Sequence, residues 1–287
     1  MTMLSINTNV AALNASQSSY SVNKSMETSM ARLSSGQRIN SGADDAAGLF
    51  ITKRMATEIQ GLNQAVRNAA DSQAFLMTAE GAHEEIHTIL LRIRELAVQA
   101  SNDTYDTQDR YALRAEMVDL QAEIDRIAND TTWNGLNMIQ GSISSGITFQ
   151  IGADNTQTMT VSVKGVSVVA ISLQTITHAG TNLTTAASMM VYISMVDKSI
   201  SIISTNRGKY AAAINRLDHA IANMQNIATN LSTAKGRIED ADFAAESSNL
   251  ARVQVLQQAS MAMLAQANAA KQNICLLYTS DAADDDH

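Results

Sequence analysis

No residue of this 287-residue chain is proline, so no position carries the ring that removes a helical N–H and clashes with the preceding turn. Both ends exploit that freedom. Ile6, Val10, Leu13, Gln17, Tyr20, Met26, Met30 and Leu33 recur mostly at three- and four-residue steps, with Ser, Asn and Gln between them. Near the other end Leu250, Val253, Leu256, Ser260, Leu264 and Ala267 do the same. This spacing collects apolar groups on one side of a helix. Such a stripe needs a partner, because packing rather than intrinsic propensity supplies most helical stability. Two stripes at opposite ends are therefore expected to pair, in a chain that folds back on itself and works through its termini rather than through a pocket.

Composition narrows the core. Hydrophobic residues make up 45% of the chain but aromatics only 4%, so Ala, Leu, Ile, Val and Met must do the packing. These residues suit narrow helix–helix seams better than a bulky globular interior. A net charge of −8 without a Lys/Arg cluster argues against nucleic acid as a partner. No apolar run approaches the roughly 20 residues of a membrane span. The opening Met1-Thr2-Met3-Leu4-Ser5-Ile6-Asn7 has neither a basic n-region nor an apolar h-region, so no cleavable signal peptide is expected.

The single cysteine, Cys275, forbids an internal disulfide and marks a change of character. From Cys275 the chain reads CLLYTSDAADDDH, and the helical stripe is expected to dissolve into an acidic, patternless tail. Residues 275–287 resemble the translation of a sequencing-library adapter, and they read as a non-native run-through to be set aside from the fold. Without Asp281, Asp284, Asp285 and Asp286 the charge of −8 becomes −4, since that tail holds no Lys or Arg.

Between the ends, the periodicity predicts a mainly α fold: a long antiparallel helical bundle or coiled coil with a small β-hairpin region and paired N- and C-termini. After the first stripe comes a connector, Ser34 to Gly48, rich in Gly, Ser, Asn and Asp, where Asp44 or Asp45 is placed to cap the next helix. That helix keeps its period through Ile51, Met55, Ile59, Leu62, Val66, Ala69, Gln73, Leu76, Ala79, His83, Ile86, Leu90, Ile93 and Ala97. Ser101-Asn102-Asp103-Thr104 stops it, and another helix follows over about 108–129. Trp133-Asn134-Gly135 signals a turn. Ile147, Phe149 and Ile151, then Met159, Val161 and Val163, alternate with polar residues and predict a hairpin near 147–163. The Ser/Thr-rich stretch 165–190 carries little pattern. A helical stripe resumes from Met190 to Ile238, and a second connector, Glu239 to Phe243, leads into the last helix. The implied divisions are 1–42, 43–239, 240–274 and the tail 275–287.

This near-palindrome and several long motifs resemble the bacterial flagellins. The N-terminal motif runs Leu33-Ser-Ser-Gly-Gln-Arg-Ile-Asn-Ser-Gly-Ala-Asp-Asp-Ala-Ala-Gly-Leu49, followed by Arg92-Ile-Arg-Glu-Leu-Ala-Val-Gln99 and Asn134-Gly135. The C-terminal motif runs Arg237-Ile-Glu-Asp-Ala-Asp-Phe-Ala-Ala-Glu246, then Val255-Leu-Gln-Gln-Ala259 and Leu264-Ala-Gln-Ala-Asn268. The resemblance spans residues 4–165 and 190–274 and leaves almost no room for large outer variable domains. It implies a structural subunit that leaves the cell unfolded through the flagellar export apparatus, with a chaperone, and ends up extracellular in the filament. The terminal helices would form an inner tube (1–42 and 240–274) and the long helices plus hairpin (43–239) an outer one. Implied partners are further copies of the chain, the filament cap and the hook-junction proteins, with no cofactor. Ile6, Val10, Leu13, Leu33, Leu250, Val253, Leu256 and Leu264 are the residues expected to carry polymerisation. The terminal stripes are expected to be largely disordered in the lone subunit and to fold on neighbours. The alternative within the same class is a hook–filament junction protein. Its members tend to carry prolines around the connector Asp-Asp pair, and none is present in Gly42 to Gly48.

Two further patterns ask for weighing. His83-Glu84-Glu85-Ile86-His87 matches the H-E-x-x-H pattern of zinc metalloproteases, with two imidazoles on one helical face and a carboxylate to activate water. Against it, His83 falls on the inward side of the long stripe, no third ligand is spaced for the site, and a catalytic zinc needs an open position. The resemblance also aligns Arg92, Leu96, Gln99 and Glu116 with positions recognised by Toll-like receptor 5. Arg92, Leu96 and Gln99 stand at i, i+4 and i+7 and would share one face; packing between subunits is the plainer use of that face. Asp44 and Asp45 read as a cap rather than an acid–base pair.

Overall fold

The computed structural model describes residues 8–139, 146–162, 165–168, 170, 171, 173 and 185–284, the last fourteen of these by backbone alone. In chain order the elements are α1 (Val10–Ser35), α2 (Ala46–Ala100), α3 (Thr107–Asp130), β1 (Thr132–Trp133), β2 (Leu136–Asn137), β3 (Ile147–Gln150), β4 (Thr158–Val161), α4 (Ala186–Glu239) and α5 (Phe243–Asp284). The chain is mainly α, as its period predicts. Met1–Thr57 with Leu231–His287 form one compact unit and Glu58–Asn230 another. These boundaries fall inside α2 and α4, whereas the sequence reading divided the chain within or beside the connectors.

In the unit Glu58–Asn230 the seam positions of α2, with the buried Phe75 and Leu96 beside them, are Leu62, Ala65, Ala69, Ser72, Leu76, Ala79, His83, Ile86, Leu90, Ile93, Ala97 and Ala100. They alternate steps of three and four without a break, the spacing of a heptad seam. Val66 and Gln73, expected inward, are only half-buried, and Ala65 and Ser72 take their places. The reason is the period. A seam shared with a facing helix keeps to 3.5 residues, while a stripe chosen by hydrophobicity drifts toward 3.6. On α4, Met189, Tyr192, Val196, Ser199, Ile203, Asn206, Tyr210, Ala213 and Leu217 step in the same way. The two helices run antiparallel, as Arg94–Asp197 at 2.7 Å and Arg207–Glu80 at 2.7 Å show. By length and composition α4 is apolar enough to cross a membrane, contrary to the expectation that no run comes close. Within it Met189, Tyr192, Val196 and Ile203 are buried in this unit, while Met190 and Val191 are exposed.

The scarce aromatics fasten the β structure. Asn134 and Gly135 both take positive φ, 49° and 82°, and make the tight turn joining β1 to β2. The β3–β4 hairpin pairs Ile147 with Val161 and Phe149 with Met159, so the predicted alternation holds, although Val163 lies outside the described residues. Phe75 of α2 meets Trp133 edge-on at 6.3 Å and Phe149 at 5.8 Å, an arrangement that favours aromatic pairs. Within the stretch that carried little pattern, the described residues of 165–173 pack as a strap. Val166, Val168, Ile171 and Leu173 are buried, the Val168 N–H donates to Asp125 at 2.9 Å, and Gln121 of α3 donates to Leu173 O (3.0 Å) and the Tyr192 hydroxyl (2.8 Å).

In the unit formed by the termini, α1 and α5 make the most extensive close helix–helix approach in the chain. The backbone of α5 stays helical to Asp284, beyond the break expected at Cys275. Residues 269–287 contain neither Gly nor Pro, so nothing local ends the helix.

Candidate functional site

The two connectors meet, which no spacing in the sequence foretold. α1 ends at Gly36, whose φ of 71° is the left-handed cap conformation that glycine adopts without strain, with its N–H donating to Arg32 O at 2.8 Å. Gln37 and Asp240 then form an antiparallel bridge. The Arg38 N–H donates to Glu239 O (2.6 Å), the Ala241 N–H to Gly36 O (3.0 Å), and the Arg38 guanidinium to Ile238 O at 2.7 Å. Asp44 accepts from the backbone N–H groups of Ser41 (2.9 Å) and Asn40 (3.1 Å) and from the Ser41 hydroxyl (3.1 Å). These bonds, the Ser41 N–H foremost, hold its carboxyl below the usual carboxylate range. Asp45 caps α2 by accepting from the Gly48 N–H at 2.9 Å. A side chain at Gly48 would collide with the Asp45 carboxylate and with the buried Ile39, whose Cδ1 lies 2.7 Å from the place a Cβ would take. Gly48→Ala is accordingly expected to cost about 1–3 kcal/mol, read as a lower Tm by circular dichroism; an unchanged Tm would remove this packing account.

Above the connectors, the α1–α5 seam differs from the expected one. On α1 its less exposed positions include Ala12, Ala15, Ser19, Val22, Met26, Ser29 and Leu33, which alternate threes and fours, with Asn23, Thr28 and Arg32 beside them. On α5 they include Glu246, Leu250, Val253, Gln257, Ser260, Leu264 and Ala267, with Ser247 and Asn249 beside them. Small and polar groups alternate in the seam with Val22, Met26, Leu33, Leu250, Val253 and Leu264, and specific bonds set its antiparallel register. Asn9 donates to Ala267 O (3.2 Å), Gln257 to Asn23 (2.8 Å) and Asn249 to the Ser29 hydroxyl (3.1 Å). The Ser29 hydroxyl first, then Asn249 and Arg32, lower the pKa of Glu246. These Asn, Gln and Ser groups bond within one chain. They were missed as seam residues because a hydrophobic search passes over Ala and Ser, although their heptad spacing was visible.

The apolar residues assigned to the stripe are thereby redistributed. Leu33, Leu250, Val253 and Leu264 lie in the seam. Val10 (57% exposed), Leu13 (61%), Tyr20 and Met30 point away from it, and so do Val255, Leu256, Met261 and Met263. Ile6 lies outside the described residues. Small groups among these larger ones let the helices approach closely, and Val10, Leu13, Tyr20, Val255 and Leu256 are left outside. The face of the pair is therefore apolar where a finished surface would be polar.

In the unit Glu58–Asn230, Arg92 pairs with Glu116 at 2.9 Å and Glu95 at 3.3 Å, which raises its pKa, Glu116 contributing most. Gln99 is exposed and donates to the Tyr105 hydroxyl at 3.2 Å. Leu96 is buried at 2% exposure, so it does not share an open face with Arg92 and Gln99. The eight residues from Arg92 to Gln99 cannot keep an i, i+4, i+7 set outward once i+4 falls beside the seam positions Ile93 and Ala97. His83 is fully buried, its Nδ1–H donating to Ala79 O at 2.8 Å, its ring edge-on to Tyr210 at 5.1 Å and its Nε2 without a hydrogen-bond partner. Burial lowers its pKa and raises that of Tyr210. Glu84, the motif's carboxylate, stands 3.8 Å from Arg207. The H-E-x-x-H pattern thus has its first histidine inside the seam, where a core residue is needed.

A terminal helix pair with a small, hydrogen-bonded seam and large apolar groups left outside belongs to a structural subunit of a self-associating helical assembly. Comparison with known proteins defines it further. Residues 6–144 match the family described as bacterial flagellin N-terminal helical region, and residues 193–277 the bacterial flagellin C-terminal helical region. The chain is 39% identical over 272 residues to a flagellin of Halalkalibacterium halodurans, covering 95% of this chain and 98% of that one. It is 36% identical over 276 residues to flagellar filament core protein flaB2 of Brachyspira hyodysenteriae, covering 93% and 97%. A solved structure of a flagellar hook-associated protein of Vibrio parahaemolyticus is similar in fold, with a TM-score of 0.56 at 15% identity over 69% of this chain and all of that one. The chain belongs to the bacterial flagellin family. It is a structural subunit of the flagellar filament, formed by self-assembly.

Proposed function

We propose that this chain builds the filament through the outward faces of its terminal helix pair, with α1 and α5 in an inner tube and the unit Glu58–Asn230 outside it. The observation that carries this reading is the exposure of Val10, Leu13, Tyr20, Val255 and Leu256 on helices whose seam is already filled. Such residues gain roughly 25 cal/mol for each Å² a neighbouring copy covers. Contacts that repeat without closing generate open helical filaments. Leu33, Leu250, Val253 and Leu264 serve the seam, and Val10, Leu13 and Leu256 the contacts between copies. The chain does this work without catalysis, outside the cell, after passing unfolded through the flagellar export apparatus with its chaperone, and it adds beneath a filament cap above hook-junction proteins. Arg92, Glu116 and Gln99 form the face on which Toll-like receptor 5 would engage, with Leu96 supporting it from within.

The test places charges outside the seam. Val10→Glu with Leu13→Glu is expected to slow seeded elongation about 100-fold or more, since a buried unpaired carboxylate is among the costliest contacts, while helix content stays unchanged. Elongation at the unmodified rate, followed by light scattering and electron microscopy, would overturn the assignment.

A further inference from the structure

We propose that Met30, Met261 and Met263 are modification sites through which hydroperoxides control the assembly of this subunit; the inference rests on the assembly surface described above. The three thioethers stand on α1 and α5 outside the seam and are 49%, 58% and 65% exposed. Five other methionines, Met117, Met138, Met159, Met189 and Met224, are buried in the unit Glu58–Asn230. Met77 and Met190 are exposed in that unit as well, so what sets Met30, Met261 and Met263 apart is their place on the helices where another copy would dock. Methionine suits such a surface because it is flexible and fits irregular partners. The same sulfur is open to oxidation when the subunit is free.

The step balances with hydrogen peroxide as oxidant. The thioether sulfur attacks one peroxide oxygen, an S–O bond forms and the O–O bond breaks. The departing hydroxide takes a proton and leaves as water. Sulfur loses two electrons and the peroxide gains them. The product sulfoxide is polar and chiral where an apolar contact was required. Covering it without a partner costs a desolvation penalty worth on the order of tenfold in affinity for each sulfoxide. Once a copy is incorporated, its neighbours cover the same sulfurs. Oxidation therefore acts on subunits awaiting assembly rather than on those already in place, and methionine sulfoxide reductase with a thiol reductant reverses it.

The experiment uses the full chain, partly oxidised with hydrogen peroxide, quenched with catalase and treated with dithiothreitol to return Cys275 to the thiol. Seeds are added, and filaments and supernatant are separated and digested. Peptide mass spectrometry then reads the sulfoxide fraction at each methionine. The expected result is a fraction at Met30, Met261 and Met263 about tenfold lower in newly added filament subunits than in the supernatant. Met77 and Met190, exposed in the other unit, serve as references and should show no such depletion. A chain carrying Met30→Leu, Met261→Leu and Met263→Leu should elongate after peroxide treatment, whereas one carrying Met77→Leu and Met190→Leu should stay peroxide-sensitive. Equal sulfoxide fractions in both pools, or equal sensitivity of the two variants, would overturn the inference alone. Untreated protein that never elongates would overturn the assembly reading and this inference with it.

Discussion

Removal of residues 1–33 is expected to abolish filament growth, on seeds as well as in free solution, while the unit Glu58–Asn230 keeps a cooperative thermal transition within a few degrees of the intact chain. The asymmetry follows from where each unit finds its packing. The unit Glu58–Asn230 contains the unbroken heptad seam of α2 and α4, the hairpin held through Phe75, and the strap of Val166 to Leu173. None of these uses α1. The terminal unit is a two-helix seam of mostly small groups, too thin to supply much hydrophobic free energy alone. Without α1, Leu250, Val253 and Leu264 lose the partner that covers them, and Gln257 and Asn249 lose Asn23 and Ser29. Circular dichroism gives the first half of the expectation and electron microscopy the second. Filaments formed by the truncated chain would refute it.

The second large effect is acid sensitivity in the seam at His83. Its folded pKa lies below the unfolded value of 6.5, burial being the main cause. The Glu80 carboxylate and the Arg207 guanidinium of α4 act on it in opposite directions. The neutral ring is the form the seam accepts. Its contribution to stability is therefore complete above the unfolded pKa and is lost as pH falls through the folded one. In that window each pH unit removes up to about 1.4 kcal/mol. His83→Phe keeps an aromatic ring against Tyr210 and has no proton to take up. The variant is expected to show a smaller fall in Tm between pH 7 and pH 5 than the unmodified chain. Equal falls in both would place the acid dependence elsewhere.

How far the residues could be read ahead of the structure depended on the kind of signal. The long helices, the Asn134-Gly135 turn and the alternation of Ile147, Phe149, Met159 and Val161 were legible because period and turn chemistry are local properties. Capping by Asp45 was legible for the same reason. The strap at 165–173 was not, since its order comes from Asp125 and Gln121 on α3, far away in sequence. Nor was the burial of Leu96, which follows from the exact heptad phase of α2.

Period, the lack of proline and the capping residues were enough to specify a helical chain whose two ends pair antiparallel. They could not say which side of each terminal helix turns inward. That choice belongs to the packing. A seam that sets Ala12, Ala15, Ser19, Ser29, Ser260 and Ala267 among Leu33, Leu250, Val253 and Leu264, with Asn23–Gln257 and Ser29–Asn249 bonds, lets two backbones approach more closely than one that also buried Val10, Leu13 and Tyr20. Close approach wins within the subunit, and the bulkier residues are left for its neighbours.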